Sequence, residues 1–257
     1  HIFDERRFHV RVHKLGQGWK NINSTRLEAK IGEIILKNSN KSKVVFDNPD
    51  IVLNIFLSER IVLGTLIGSR DGSILKRRPG ERPFSLPISM EPRVARAMVN
   101  MARLREGQRL LDPFCGTGGI LIEAGLMGIK VFGSDIDERM VKGTIINLEF
   151  YGIKPEKIVK CDIREIHEYF DNIDGIVCDP PYGRSASTFG ENSTRLYEDS
   201  FKAFKRVLKP GGYAVISFPN EEHHIKIGAK YMKLKNVISY RVHKSLTRYI
   251  GIYQNQW

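Results

Sequence analysis

The sequence has little cysteine and no long apolar run. Its 257 residues include only three cysteines, Cys115, Cys161 and Cys178. No stretch approaches the ~20 apolar residues needed to span a bilayer, which excludes a transmembrane helix, and residues 1–7 lack the apolar core of a signal peptide. Three cysteines cannot form an even set of disulfides, so we expect buried thiols in a soluble, cytoplasmic protein.

The sequence also lacks metal-ligand spacing and an initiator methionine. Its three cysteines and seven histidines show none of the spacings of a zinc site, so we expect no metal. The chain begins with His1, which indicates a processed or truncated chain.

Acidic residues are outnumbered, and the imbalance is uneven along the chain. The formal net charge is +12, and residues 1–80 hold 15 basic and 8 acidic residues, a net +7. Less than a third of the chain therefore carries more than half of the excess. Such a basic segment favours a polyanionic partner such as nucleic acid, although a solvated lysine-rich surface explains the charge equally well.

Glycine, serine and proline cluster at residues 68–80 and predict a boundary between two unequal parts. Residues 1–70 read as a small α+β module. Alternation predicts a strand at 8–12, Asn23 offers a cap for a helix over 26–36, and three more strands follow at 44–46, 51–56 and 61–67. We expect a linker at 71–82 and a second domain at 83–257.

The second part alternates strands with helices. A helix is predicted over 92–104, and strands at 109–111, 131–133, 158–160, 175–178, 213–218, 237–242 and 249–253. Helices are predicted between them over 118–127, 138–151, 165–170, 196–208 and 221–229. Repeated βα units predict an α/β fold with a doubly wound, mostly parallel, Rossmann-like sheet. Ligands of such sheets bind outside the carboxyl ends of the strands.

Four successive predicted strands each end in an aspartate. Asp112 precedes a glycine-rich turn at residues 116–119, Asp135 follows the second strand, Asp162 the third and Asp179 the fourth. The glycines allow close backbone approach to a ligand, and Asp135 stands where a carboxylate accepts ribose hydroxyls. For any one aspartate a helix N-cap is the alternative, and the turn alone could be a ligand-free tight turn.

Asp179 begins the tetrad Asp179-Pro180-Pro181-Tyr182. The prolines restrict the backbone and hold the groups rigidly. The exocyclic amine of a nucleobase is a poor nucleophile because its lone pair is delocalised into the ring. The Asp179 carboxylate and the Pro180 carbonyl are suited to accept its two N–H groups, and the Tyr182 ring to stack on the base. A rigid proline turn without chemistry is the alternative.

These motifs resemble the class I S-adenosylmethionine-dependent methyltransferases that modify amino groups of nucleic-acid bases. Residues 82–84, 89–92, 95–100, 112–124 and 241–249 resemble the archaeal tRNA guanine-10 N2-methyltransferase family in particular. The resemblance covers residues 80–257 and implies a seven-stranded sheet with an antiparallel terminal strand. Residues 1–70 resemble, more loosely, the later part of a THUMP module, a tRNA-binding domain that is longer in this family.

The resemblance also implies roles for individual residues. The cofactor S-adenosylmethionine is expected to be held by Ser89, Met90, Asp112, Cys115, Gly116, Thr117, Gly118, Asp135, Ile136, Asp162 and Ile163. Asp135 is expected on the ribose hydroxyls and Asp162 on the adenine amine. Asp179, Pro180 and Tyr182 form the expected catalytic set around the guanine. No thiol chemistry is expected at Cys115.

The implied reaction is methyl transfer to guanine N2 of tRNA, at position 10. We expect the target base to leave its stack and the loop at 183–194 to fold over it. We also expect phosphates to be contacted by Lys76, Arg77, Arg78, His243, Lys244 and Arg248. The alternative for the loop is a surface loop without a role in the reaction, and the alternative for the basic residues is a set of solvated surface charges. The sequence leaves open another tRNA or rRNA guanine, adenine N6, a protein glutamine, a non-catalytic RNA-binding scaffold, and the number of methyl groups.

Overall fold

A computed structural model describes residues 2–15, 18–68, 72–86, 89–181, 193–219, 222–243 and 246–256. The chain divides into two compact units, His1–Asp71 and Gly72–Trp257. Within the described ranges, no helix has the length and apolar character needed to cross a membrane.

The first unit is a four-stranded sheet with one long helix. Its elements are β1 (Arg7–Lys14), α1 (Ser24–Asn38), β2 (Lys43–Val44), β3 (Ile51–Leu57) and β4 (Ile61–Thr65). The strand order is β2-β1-β3-β4, in which β1 runs parallel to β2 and β3, and β4 is antiparallel to β3. Every predicted element is present, although β2 is shorter than the strand expected at 44–46.

Alternation along β1 places Phe8 and Val10 in the core of this unit. Helix α1 begins where expected, because the Asn23 side chain accepts a hydrogen bond from the Arg26 amide at 3.0 Å. Its Leu27, Ile31 and Ile35 pack against the β1 and β3 core. Ile34, which neighbours Ile35 in the chain, is half exposed.

The second unit carries the α/β sheet. Its elements are α2 (Pro92–Met101), β5 (Arg109–Asp112), α3 (Gly119–Gly125), β6 (Lys130–Asp135), α4 (Glu138–Phe150), β7 (Lys157–Lys160), α5 (Ile166–Tyr169), β8 (Ile173–Cys178), α6 (Ser193–Val207), β9 (Leu208–Phe218), α7 (Glu222–Ala229), β10 (Lys233–His243) and β11 (Leu246–Gln254). The strand order is β10-β11-β9-β8-β5-β6-β7. Strand β11 is antiparallel to both neighbours and the other pairings are parallel.

Helices cover both faces of this sheet, as the doubly wound fold predicts. On one face α6 contributes Tyr197, Phe201 and Phe204 to an apolar cluster that also includes residues of α5 and α7. On the other face α2 and α3 contribute Met98 and Leu121, among others. The central strands are therefore buried on both sides, and only their ends reach solvent.

Strand β9 begins earlier than predicted. Residues 209–212 were expected to separate a helix from a strand, but β9 already starts at Leu208, which pairs with Ile173 of β8. Gly175 then pairs with Tyr213, so a bulge in β9 accommodates the extra residues between the two pairs. Gly211 adopts a positive φ of 80° within this bulge, a conformation that favours glycine.

The segment expected to be a linker packs instead as part of the second unit. Two 3-10 helices span Gly72–Arg77 and Pro79–Glu81, and Ile74 and Arg77 are buried. The Arg77 guanidinium binds the fully buried carboxylate of Glu123 in α3, with Nε at 2.7 Å and Nη2 at 3.1 Å. Arg77 is therefore committed to an internal ion pair, and the expectation that it contacts RNA phosphates is wrong.

Glu123 also binds Arg96 of α2, whose Nε lies 2.9 Å from Oε2. One carboxylate thus joins α3 to α2 and to the preceding 3-10 helix. Because Glu123 is buried, replacing it should destabilise the fold: the largely buried Arg77 cation would lose its counter-charge.

We predict that Glu123→Ala lowers the free energy of unfolding by about 3–5 kcal/mol, because removing one partner of a buried ion pair strands the other. Urea denaturation measures the change. Glu149→Ala, at an exposed position of α4, is the control and should change stability by less than about 0.5 kcal/mol. Equal effects of the two substitutions would contradict the assignment.

Candidate active site

Four neighbouring strands deliver aspartates to one edge of the sheet. Strands β8, β5, β6 and β7 are adjacent and parallel, so their carboxyl ends share that edge. Asp112 and Asp135 end β5 and β6, Asp162 follows β7 by two residues, and Asp179 directly follows β8. Burial raises the pKa of Asp112 well above its usual value, and the nearby charges of Asp135 and Asp179 raise it further.

The turn between β5 and α3 owes its shape to two glycines. Gly116 has a φ of 51° and Gly118 a φ of 78°, both in the left-handed region. The Gly116 amide donates to Asp135 Oδ2 at 2.9 Å, which ties the turn to the end of β6. A Cβ on Gly116 would meet no atom closer than 3.9 Å, so the space beside it is open, whereas one on Gly118 would crowd Thr144.

Asp135 does not cap the helix that follows it. Asp137 is the N-cap of α4, and Asp135 Oδ1 instead accepts a hydrogen bond from the Asp137 amide at 3.0 Å. Burial raises the pKa of Asp135, and its backbone hydrogen bonds oppose that rise. The next residue, Ile136, has 45% of its surface exposed, an apolar group left open beside this carboxylate.

Asp162 does act as a cap. It precedes the 3-10 helix Ile163–Glu165, and its Oδ1 accepts a hydrogen bond from the Arg164 amide at 2.9 Å. The Arg164 guanidinium binds the same carboxylate, with Nη2 2.6 Å from Oδ2, and this hydrogen bonding lowers the pKa of Asp162. Ile163 is buried in the core. The N-cap alternative therefore applies to Asp162, and a ligand would share this carboxylate with Arg164.

The cysteines are free and buried. Cys115 lies in the glycine-rich turn, where burial raises the pKa of its thiol well above its usual value. Cys178, at the end of β8, shows the same effect, and burial also raises the pKa of Cys161. A buried thiol with a raised pKa is a poor nucleophile, which agrees with assigning no chemistry to Cys115. Within the described residues, no group of three or more potential ligands could hold a metal ion.

Asp179 is bound by a basic residue of the last strand. Its Oδ2 accepts a hydrogen bond from Arg248 Nη1 of β11 at 3.0 Å, and no described donor reaches the buried Oδ1 in hydrogen-bond geometry. Pro180 is buried next to it. Arg248, which was expected to contact phosphates, binds Asp179 in this structure. Tyr182, most of the loop at 183–194, Lys244 and the His243 side chain lie outside the described residues.

Sequence reasoning missed several polar contacts around the glycine-rich turn. Asn147 of α4 is buried and bridges two segments, with Nδ2 2.6 Å from the Phe84 carbonyl and 2.8 Å from the Thr117 carbonyl. The Ser89 hydroxyl lies 3.0 Å from that of Thr117. Met90 is buried in the core on that side of the sheet. An amide among the mostly apolar residues of the buried face of α4 was the available signal for Asn147.

Arg82 is the second residue that sequence reasoning left without a role of its own. It is 5% exposed, donates from Nε to the Arg77 carbonyl at 3.0 Å, and lies 3.5 Å from the Thr117 hydroxyl. Burial lowers the pKa of its guanidinium. A Cβ on Gly119 would lie 3.0 Å from Arg82 Nη1, so a side chain there would require the guanidinium to shift.

Comparisons with known proteins identify a family and relatives for this chain. Residues 79–250 match the UPF0020 family, an RMKL-like methyltransferase domain. The chain is 40% identical to the tRNA (guanine(10)-N2)-dimethyltransferase of Methanothermobacter thermautotrophicus over 95% of this chain and 72% of that protein. It is 39% identical to the protein of the same name from Methanocaldococcus jannaschii, over 98% and 72%. The crystal structure of TrmN from Thermus thermophilus shares the fold, with a TM-score of 0.59 and 21% identity over 97% of this chain and 72% of that one.

Gly118→Ala should destabilise the protein more than Gly152→Ala. Both glycines have positive φ, 78° and 68°, so both substitutions incur about 1–2 kcal/mol of backbone strain. Only Gly118 also faces Thr144, whose Cγ2 would lie 3.2 Å from the new Cβ, whereas the space at Gly152 is open. We expect a further loss of about 1 kcal/mol at Gly118, measured by urea denaturation. Equal losses would contradict the crowding at Thr144.

Proposed function

The chain belongs to the archaeal family of tRNA (guanine(10)-N2)-dimethyltransferases, and we propose that it transfers methyl groups from S-adenosylmethionine to the exocyclic N2 of a guanine in tRNA. The observation that carries this proposal is the carboxylate of Asp179, which stands at the carboxyl end of β8 and is bound by Arg248 Nη1 at 3.0 Å. That carboxylate stands at the same sheet edge as the glycine-rich turn.

S-adenosylmethionine supplies a methyl group bonded to a positively charged sulfur, which makes that carbon electrophilic. The residues fit such a group. The open space beside Gly116 admits it, the Asp135 carboxylate suits its ribose hydroxyls, and the exposed Ile136 suits its adenine. Asp162 suits the adenine amine. Ser89, Met90, Asp112, Cys115, Thr117, Gly118 and Ile163 complete the proposed binding set.

Asp179 and Pro180 accept hydrogen bonds from the amine of the target guanine. Two acceptors on two N–H groups fix the nitrogen and favour a more pyramidal geometry, which frees its lone pair for attack. Holding the reacting atoms in this way supplies much of the acceleration. Once the nitrogen has been alkylated, Asp179 is placed to receive its proton. Tyr182 is proposed to stack on the base.

The proposed substrate is tRNA, at position 10, with dimethylation as the outcome, because the two archaeal relatives carry that activity in their names. The target guanine leaves its stack to reach the sheet edge, at a cost of a few kcal/mol. Residues 1–70 are proposed to form a THUMP-like RNA-binding module, supported by their 12 basic against 7 acidic residues, a net charge of +5. Residues 83–257 form the proposed methyltransferase domain, in a cytoplasmic protein.

The proposal is tested with unmodified tRNA transcripts and S-adenosylmethionine, followed by digestion and nucleoside mass spectrometry. We expect N2-methylated guanosine from the wild-type protein and a loss of about a hundredfold or more in rate from Asp179→Asn, which removes the anionic acceptor. Binding of S-adenosylhomocysteine, measured by calorimetry, should survive that substitution. Asp171→Asn, at an exposed carboxylate, is the control. Methylation of adenine, or an unaffected Asp179 variant, would overturn the proposal.

Asp135→Ala tests the cofactor assignment separately. Loss of a charged acceptor for two hydroxyls should weaken S-adenosylhomocysteine binding by about ten- to a hundredfold in calorimetry. Asp171→Ala should bind with wild-type affinity, and thermal unfolding of each variant checks that it is folded. Wild-type affinity in a folded Asp135→Ala variant would show that the ribose is held elsewhere.

A further inference from the structure

A polar cluster surrounds Asp179 on the side of the sheet formed by its last strands. Arg248 lies on β11 opposite Tyr240 of β10, and Ser217 lies on β9 opposite the β11 residue Ile250. The Ser217 hydroxyl and the Arg248 guanidinium both act on the Asp179 carboxyl, and both act on the Tyr240 hydroxyl. Three strands distant in sequence from Asp179 therefore supply its surroundings.

The ion pair between Arg248 and Asp179 is mostly withdrawn from solvent. Only 16% of the Arg248 side chain and 18% of the Asp179 side chain are exposed, and Nη1 lies 3.0 Å from Oδ2. Burying two opposite charges contributes little net stability, because their desolvation offsets their attraction. Stability alone does not explain the pair, and its position at the end of β8 points to a role in the reaction.

We propose that Arg248 is the positioning residue of Asp179: by binding Oδ2 it fixes the plane of the carboxylate at the end of β8, where that carboxylate accepts from the amine of the target base. This inference rests on the proposed function. The Ser217 hydroxyl of β9 acts on the same carboxyl, so contacts from β9 and β11 together set the orientation of Asp179.

Arg248 also controls the charge of the carboxylate. Burial raises the pKa of Asp179, and the positive charge of Arg248 opposes this rise. The other ionisable groups nearby are Asp112 of β5, whose charge interacts with Asp179, and Tyr240 of β10, whose pKa burial raises. Cys178 of β8 is buried with a raised thiol pKa. Arg248 is thus the cation that favours an ionised Asp179 in this set.

The sign of the pH effect follows from these contacts. An ionised Asp179 is the stronger acceptor, so the rate of transfer falls as the pH drops through the pKa of this carboxyl. Burial raises the pKa of Asp179 and the Arg248 charge lowers it. Removing that charge therefore raises the pKa of Asp179 further. The acidic limb of the pH profile should then move to higher pH, and activity should recover in alkaline solution.

The test compares Arg248→Met, Arg248→Gln and Arg248→Lys in single-turnover methylation of tRNA across pH, read by nucleoside mass spectrometry. Removing an opposite charge at this distance should raise the midpoint of the acidic limb by about one pH unit or more in the Met and Gln variants. Arg248→Lys keeps the charge and should keep the wild-type midpoint, with a lower plateau rate because its single ammonium lacks the planar fork. Lys235→Met, at an exposed position of β10, is the matched control for lost positive charge.

The outcomes separate this inference from the proposed function. If the wild-type protein produces no methylated guanosine, the proposed function fails. If the wild type is active but the midpoint is unmoved in folded Met and Gln variants, the positioning role is overturned. An unmoved midpoint with weaker tRNA binding and a shallower salt dependence would identify Arg248 as a phosphate contact instead. If the Met variant does not fold, the Gln and Lys variants decide the matter alone.

Discussion

The hydrogen bond from the Gly116 amide to Asp135 holds the candidate site together. It joins the turn after β5 to the end of β6, two strands that already lie side by side in the sheet. Because the strands are parallel, every turn that follows one opens at the same edge. The positive φ angles of Gly116 and Gly118 give the turn at this edge its shape.

The order of elements in the second unit could be predicted because it depends on local patterns. Apolar strands bounded by glycine, proline and aspartate alternate with helical stripes, and the structure reproduces each of them. The resemblance to the archaeal methyltransferases is confirmed by relatives at about 40% identity. The bulge in β9 and the packed helix at Gly72–Arg77 were missed, because each depends on tertiary partners, Ile173 in one case and Glu123 in the other.

The candidate site was predictable in part for the same reason. Asp112, Asp135 and Asp179 each follow a recognisable strand, so their meeting at one edge follows from the fold. The partner of Asp179 could not be predicted in this way. Arg248 is 69 residues away in the chain and reaches Asp179 only through the pairing of β11 with β9. The sequence could not decide the role of Asp162. The residue is a helix N-cap and also lies at the sheet edge, so the two readings do not exclude each other.

The three buried thiols have a practical consequence. Cys115 and Cys178 lie beside the strand-end carboxylates, and a thiol that is buried with a raised pKa reacts with alkylating reagents only when its surroundings open. The rate of alkylation in native buffer therefore measures how often this edge of the sheet opens. The native cysteines can therefore report local opening of the structure, and no label has to be engineered into the protein.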